Sequence, residues 1–185
     1  AYSSDHAVGI QKMHRKATPR IGGLAVLVGV FLGYWATKAD RQNLLGLLIL
    51  SGLPAFVFGL AEDLTKQVSV TARLLATMAS GMLGWWLTRY SLTSLQIPIL
   101  DHVLQWTLVS VLFTAFAVSG IANAVNIVDG FNGLASGFLI IALTAVALIA
   151  YSVGDVELSL GSLCIAGAFL GFWLVNWPWG KLFLG

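Results

Sequence analysis

The stretch Asn123–Gly137, NAVNIVDGFNGLASG, lies between two long apolar runs and interrupts them with polar side chains. Its Asp-Gly and Asn-Gly pairs are typical turn dipeptides, so the pattern predicts a helix that ends near Gly130 and a second that begins after Gly133. A plain turn would account for Asp129 and Asn132. It would not account for Asn123 and Asn126, which lie one and two turns earlier, because amides buried in a membrane need partners. We therefore interpret the stretch as part of a site.

Composition indicates that lipid is the solvent for most of this chain. Of 185 residues, 58% are hydrophobic and 10% are charged, with a mean hydropathy of +0.87, whereas soluble domains carry about 25% charged residues. The net charge of +2 is too small, and the basic residues too scattered, to predict a nucleic-acid partner. The single cysteine excludes a disulfide framework and a cysteine-rich metal site.

Six segments have the length and apolar character of membrane spans, which need about 20 residues each. They are Ile21–Ala36, Asn43–Ala61, Ala72–Thr88, Trp106–Ala122, Leu134–Ser152 and Leu158–Val175. Open strands would leave backbone groups unpaired in lipid. The sequence therefore predicts an all-α fold, a polytopic integral membrane helical bundle with about six spans, and residues 1–185 as part of a single membrane domain. In the loop before the fourth span, Pro98 is expected to prevent a regular helix.

The distribution of basic residues predicts the orientation of the bundle. With alternating loops, one side collects Lys12, Arg15, Lys16, Arg20, Lys66, Arg73 and Lys181, and the other only Lys38, Arg41 and Arg89. The richer side is expected to face the cytoplasm. It gathers four polar clusters that the sequence keeps far apart: His14–Gly23, Glu62–Arg73, Asn123–Gly133 and Asn176–Gly185.

Three carboxylates in these clusters suggest a cation site. Glu62 and Asp63 are adjacent, so on a helix they point about 100° apart and are expected to do different jobs. One could bind a divalent cation while the other holds a basic residue or a substrate group. The alternative is a solvated helix end. Together with Asp129, they would suit Mg²⁺, which prefers oxygen ligands and is commonly shared with phosphate groups.

The first cluster, HRKATPRIGG, supplies the complementary positive charge. Its Lys16 and Arg20, beside backbone amides freed by the glycine pair, suit a phosphate or pyrophosphate, although such residues also flank ordinary membrane spans. Acids that hold a cation, bases that hold phosphate and a cleft in the bilayer together favour phosphoryl transfer to or from a lipid. The alternatives are a transporter or proton relay, which predicts polar residues at mid-span and a mirrored repeat, and a structural membrane subunit.

The motifs KATPRIGG, GLAEDLT followed by Arg73, NAVNIVDGFNGLASG and NWPWGKLFLG resemble, in order and spacing, the polyprenyl-phosphate N-acetylhexosamine-1-phosphate transferases of glycosyl transferase family 4. The resemblance implies a multi-pass enzyme of ten or eleven helices in the bacterial inner membrane. Such an enzyme moves a sugar-1-phosphate from a UDP-N-acetylhexosamine to polyprenyl (undecaprenyl) phosphate at the cytoplasmic face and releases UMP. It uses Mg²⁺, with Mn²⁺ as an alternative, and initiates cell-envelope polysaccharides such as O-antigen; a homodimer is a candidate assembly.

Carried over by position, the resemblance implies catalytic roles for Glu62, Asp63 and Asp129, with Asp63 and Asp129 at the metal. Its substrate-binding candidates are Lys16, Thr18, Arg20, Arg73, Asn123, Asn126, Asn132 and Lys181. The sequence departs from the family pattern where Glu62 replaces the usual Asp and where Asn132 replaces a frequent second Asp. A first helix, the final helices and a metal-binding Asp are expected to be missing from this chain, which alone is expected to be inactive.

Overall fold

The structure is a computed structural model that describes residues 4–5, 18–19, 21–36, 44–180 and 182–184; for 4–5 and 18–19 only the backbone is described. Its elements are β1 (Ser4–Asp5), β2 (Thr18–Pro19), α1 (Gly22–Ala36), α2 (Leu44–Thr65), α3 (Val70–Thr88), α4 (Pro98–Leu104), α5 (Thr107–Val128), α6 (Leu134–Ser152) and α7 (Val156–Asn176). The two short strands pair antiparallel, with Ser4 opposite Pro19. The predicted helical bundle is confirmed, since a helix lies at each of the six predicted spans.

The helices α2, α5, α6 and α7 are long and apolar enough to cross a membrane, judged by length and composition, while α1 is apolar but shorter. Large apolar side chains stay exposed along the spans, among them Leu32 at 65%, Phe116 at 66% and Ile141 at 73%. Soluble monomers seldom expose apolar surface on this scale. Lipid tails would cover it without cost, so this surface fits a bilayer.

Short polar signals set the helix ends. Ser69 caps α3, because its hydroxyl accepts a hydrogen bond from the Ala72 amide at 3.1 Å. Asp155 caps α7 in the same way, accepting from the Leu158 amide at 3.0 Å. Such caps satisfy backbone donors that the first turn leaves unpaired. The break predicted near Gly130 is also confirmed, since α5 ends at Val128 and α6 begins at Leu134.

The helices pack in two groups, which meet where α2 contacts α1 and α7 and where α5 contacts α6. In one, α3 lies against both α2 and α5; in the other, α7 lies against both α6 and α1. The core between α1, α2 and α7 is built around Val26, Val30, Leu45 and Phe172. Close approach depends on small residues: a Cβ placed on Gly81 of α3 would lie only 2.8 Å from the Ala115 Cα of α5.

The loops divide between two ends of the bundle. At one end, Glu62, Asp63 and Asp129 line a common cavity; we call this the acidic end. At the opposite end, Tyr90, Asp155 and Glu157 share another cavity, and the Leu44 amide donates a hydrogen bond to the Glu157 carboxylate. The 22-residue helix α5 separates the two ends by about 33 Å.

The expectation that Pro98 prevents a helix is wrong. Pro98 is the first residue of α4. At that position its missing N–H removes no intrahelical hydrogen bond, and its fixed φ suits the helix. The proline therefore starts this short helix at the opposite end of the bundle.

Candidate active site

A cavity of about 460 Å³ opens at the acidic end, between α1, α2, α3, α5 and the segment after α7. Five of the candidate residues line it, although the sequence separates them by up to 67 positions: Glu62, Asp63, Arg73, Asn126 and Asp129. Its other walls come mainly from backbone and apolar side chains, including Gly23, Phe56, Gly59, Val125 and Leu184. The structure thus places three carboxylates, one guanidinium and one amide around a common space.

The remaining candidates do not line this cavity or fall outside the described residues. The Asn123 amide donates to the Ser119 carbonyl of its own helix at 2.8 Å, and the Asn132 amide donates to the Pro178 carbonyl at 3.2 Å. Neither residue is part of the cavity wall. Lys16, Arg20 and Lys181 lie outside the described residues, and Thr18 is described only by its backbone, which pairs with Asp5.

All three carboxylates lie at the carboxyl ends of helices. Glu62 and Asp63 occupy the last turn of α2, which runs one turn further than the apolar segment predicts. Asp129 is the C-cap of α5, with its amide donating to the Val125 carbonyl at 3.1 Å. Neither helix has a basic residue in its last turn. The partial negative charge there disfavours an acidic side chain by about 0.3–1 kcal/mol, so this placement favours the binding of a cation.

The Glu62 carboxylate is engaged by Arg73. One Arg73 nitrogen, Nη1, donates to both Glu62 oxygens at 2.9 Å. The Glu62 side chain is 35% exposed and the Arg73 side chain is 21% exposed, so the ion pair is partly shielded from water. Arg73 Nε is buried and has no hydrogen-bond partner among the described residues. Glu62 therefore holds a basic residue, which is one of the two roles proposed for this adjacent pair of carboxylates.

The donor set fits a cation that is shared with a substrate. Within the described residues, no group of three or more His, Cys, Asp or Glu side chains is close enough to form a closed metal site. Asp63 and Asp129 nevertheless face one cavity. Mg²⁺ typically takes one or two carboxylates, several waters and phosphate oxygens. These two carboxylates therefore suit Mg²⁺ held jointly with a phosphate group.

The glycine pair at the start of α1 has a different role from the one predicted. The Gly22 amide donates to the Phe183 carbonyl at 2.8 Å, and the Gly23 amide donates to the Leu184 carbonyl at 2.6 Å. A Cβ on Gly22 would collide with the Phe172 ring. The expectation that these amides bind phosphate is wrong, because they bind the chain that follows α7.

Asn176 begins the fourth polar cluster but is not among the site residues predicted from the sequence. It ends α7, is only 4% exposed, and uses both ends of its amide. Its Oδ1 accepts from the Gly133 amide, and its Nδ2 donates to the Leu182 carbonyl at 2.6 Å. An asparagine at the end of an apolar run was the available signal, since a buried amide requires partners.

The comparisons with known proteins agree with the geometry. The model of glycosyl transferase family 4 matches residues 44–185. The chain belongs to this family. That assignment confirms the resemblance drawn from the four motifs. No solved structure gives a significant match to the chain.

Curated relatives of this family member are named as transferases. A phospho-N-acetylmuramoyl-pentapeptide-transferase of Clostridium perfringens is 28% identical over 184 residues, covering 94% of this chain and 58% of the relative. A probable undecaprenyl-phosphate N-acetylglucosaminyl 1-phosphate transferase of Bacillus subtilis is 29% identical over 175 residues, covering 95% and 48%. The chain thus spans about half the length of the curated relatives it matches.

Proposed function

We propose that the full protein transfers an N-acetylhexosamine-1-phosphate from a UDP-sugar to polyprenyl phosphate, releasing UMP, at the cytoplasmic face of the bacterial inner membrane. The observation that carries this proposal is the common cavity that Asp63, Asp129, Asn126 and the Glu62–Arg73 pair line together. Membership of a transferase family and the names of the relatives support the same reaction class.

The proposed reaction is a direct displacement at phosphorus. An oxygen of the lipid phosphate attacks the β-phosphorus of the UDP-sugar, and the bond from that phosphorus to the oxygen bridging the two phosphates breaks. UMP leaves with the bonding electrons, and the sugar-1-phosphate remains on the lipid as a pyrophosphate. Phosphoryl transfer of this kind depends mostly on positioning and charge stabilisation.

Each side chain of the cavity has a role in this proposal. Arg73, oriented by Glu62, offsets negative charge on the phosphates, and Asn126 supplies hydrogen bonds to the substrate. Asp63 and Asp129 would hold Mg²⁺, which when bound neutralises charge on the pyrophosphate; Mn²⁺ is the alternative ion. Lys16 and Arg20 remain predicted phosphate ligands.

The placement of charges favours a transferase over a transporter or proton relay. Within the described helices, the Asp, Glu, Lys and Arg residues lie within four positions of a helix end. Hydroxyl groups do occur near mid-span, among them Thr77 and Ser119, which form a 2.7 Å hydrogen bond with each other. A transmembrane path for ions would need ionisable groups at that depth.

The test is UMP release by the full-length protein in nanodiscs with polyprenyl phosphate and a panel of UDP-sugars. We expect Asp63→Asn and Asp129→Asn each to lower kcat by about a hundredfold or more, since each removes a carboxylate that would hold Mg²⁺ beside the reacting phosphates. Chelation of divalent ions should abolish turnover, and Mg²⁺ should restore it.

Asp101→Asn is the matched control, because Asp101 is a carboxylate of α4 at the opposite end of the bundle. It should keep wild-type turnover. Near wild-type turnover in both cavity variants would end the assignment of these residues. No transfer from any UDP-sugar would end the proposed reaction.

A further inference from the structure

Two walls of the cavity are connected through Asn176, a residue that does not itself line the cavity. One wall includes Asp129 and Gly130, which precede the first turn of α6. The other includes Gly23 and Leu184, from the start of α1 and the segment after α7. Asn176 is not part of either wall, yet it is bonded to the chain that forms both.

On the first side, Asn176 holds the turn between α5 and α6. Its Oδ1 accepts from the Gly133 amide, three residues beyond Gly130. Gly133 has φ +74, and a Cβ there would lie 2.8 Å from Trp177 and 2.9 Å from Trp173 Nε1. The turn therefore rests directly against the end of α7, with room for glycine alone. The hydrogen bond from the Asn132 amide to the Pro178 carbonyl also joins this turn to the chain that follows α7.

On the second side, Asn176 holds the segment after α7. Its Nδ2 donates to the Leu182 carbonyl at 2.6 Å. The next two carbonyls, of Phe183 and Leu184, accept from the amides of Gly22 and Gly23. One buried amide thus connects the turn beside Asp129 to the start of α1.

We propose that Asn176 is a positioning residue that fixes these two walls relative to each other, acting through Gly133 on one side and Leu182 on the other. The inference deepens the proposed function and depends on it only for its catalytic consequence. A displacement of about 1 Å can cost about a hundredfold in rate, so loss of this link is expected to lower turnover.

Asparagine suits the position because it offers one donor and one acceptor on a short side chain. Asn176→Asp keeps the shape and the acceptor for Gly133, but it places an oxygen against the Leu182 carbonyl. Asn176→Ala removes both bonds. A comparison of the two variants therefore separates the effect of the bond to Leu182 from the effect of the bond to Gly133.

The experiment is hydrogen exchange followed by mass spectrometry on the full-length protein in nanodiscs. Asn176→Ala should accelerate exchange at both residues 21–24 and 133–137, whereas Asn176→Asp should accelerate exchange at 21–24 and leave 133–137 close to wild type. Peptides from α2 and α3 should not change. Ser136→Ala is the matched control: this serine is buried and its hydroxyl has no partner among the described residues, so its loss should leave both regions unaltered.

The same variants are then assayed for UMP release. Both Asn176 variants should lower kcat by about tenfold or more, with Ser136→Ala unchanged. Unchanged exchange at 21–24 in both variants, or faster exchange throughout the helices, would overturn the proposal. So would local loosening with wild-type kcat in a protein whose Asp63 and Asp129 variants are inactive. Absence of transfer in the wild type would instead refute the proposed function. The exchange data would still test whether Asn176 holds the two walls together.

Discussion

At the scale of single residues, Glu62 shows how a side chain at a helix end finds a partner on the next helix. The angular difference between Glu62 and Asp63 on a helix predicts different jobs, and the structure pairs Glu62 with Arg73. The identity of that partner could not be predicted. It lies eleven positions away across the turn between α2 and α3, and its direction depends on how those helices pack.

The Glu62–Arg73 pair predicts a measurable coupling. Glu62→Gln keeps the size of the side chain but removes its charge from a guanidinium whose Nε already has no partner among the residues that the structure describes. Hydrogen bonds to charged groups contribute about 1.5–3 kcal/mol, and partial exposure lowers this, so we expect a loss of about 1 kcal/mol in stability. A double-mutant cycle with Arg73→Gln, read by unfolding in detergent, measures the coupling.

The charge-swapped protein, Glu62→Arg with Arg73→Glu, is the companion variant. It should recover part of the lost stability, because the ion pair can re-form, but not activity, since the positive charge has moved from α3 to α2. Additive effects in the cycle would show that the pair contributes nothing to stability.

For some residues of the candidate site the sequence predicts the position in the bundle, and for others it does not. Alternating spans bring Asp63 and Asp129 to one end whatever the details of packing. Asn132 and Gly22 depend on those details: the positive φ of Gly133 directs the chain so that Asn132 meets Pro178. No pattern in the sequence encodes that direction.

At the scale of elements, hydropathy locates helices but not their ends. The apolar run predicts that the second span ends at Ala61, whereas α2 continues to Thr65. Hydropathy marks where lipid ends, and a helix can continue into water. The extra turn matters because it carries Glu62 and Asp63. Similarly, α5 continues past Ala122 and includes Asn123 and Asn126; here the turn dipeptides, and not hydropathy, predict where the helix ends.

The loop before α5 is organised by Asp101 and predicts a pH dependence. The Leu95 amide and the Ser94 hydroxyl donate to its carboxylate at 2.6 and 2.8 Å. These hydrogen bonds, the Leu95 bond foremost, hold the pKa of Asp101 below its ordinary value. A lowered pKa means that the ionised form favours the folded loop. Its contribution is complete above the ordinary value, about 3.9, and is lost as pH falls through the lowered pKa.

We therefore expect protection of the Leu95 amide to be constant near neutral pH and to decline only in strong acid, after correction for the intrinsic pH dependence of exchange. Asp101→Asn should weaken the protection and remove its dependence on this titration. A decline that begins well above the ordinary aspartate pKa would contradict the assignment to Asp101.

At the scale of the whole molecule, hydropathy and the rule of alternating loops were sufficient to predict the helical bundle. They could not predict that α7 packs between α1 and α6, because lipid-facing and helix-facing apolar residues are chemically alike. Order in the bundle comes from small residues and paired amides, whose partners are distant in sequence.

The positive-inside rule predicts that the acidic end faces the cytoplasm. In a background in which Cys164 is replaced by alanine, we expect Gln67→Cys to be protected from a membrane-impermeant maleimide in intact spheroplasts and to react after lysis. Thr93→Cys, at the opposite end, should react in both states. Both positions are exposed, so burial does not confound the comparison. Reversed labelling would place the acidic end outside.

The tryptophans beside Gly133 provide one last consequence. The rings of Trp173 and Trp177 are stacked, with centroids 5.0 Å apart and planes within 8°. Indole rings at this separation couple their strong electronic transitions, so we expect the pair to contribute an exciton signal to the far-ultraviolet circular dichroism that depends on the ring geometry. The pair lies where the turn at Gly133 contacts the end of α7. Its circular dichroism would therefore report changes in that contact without any added dye.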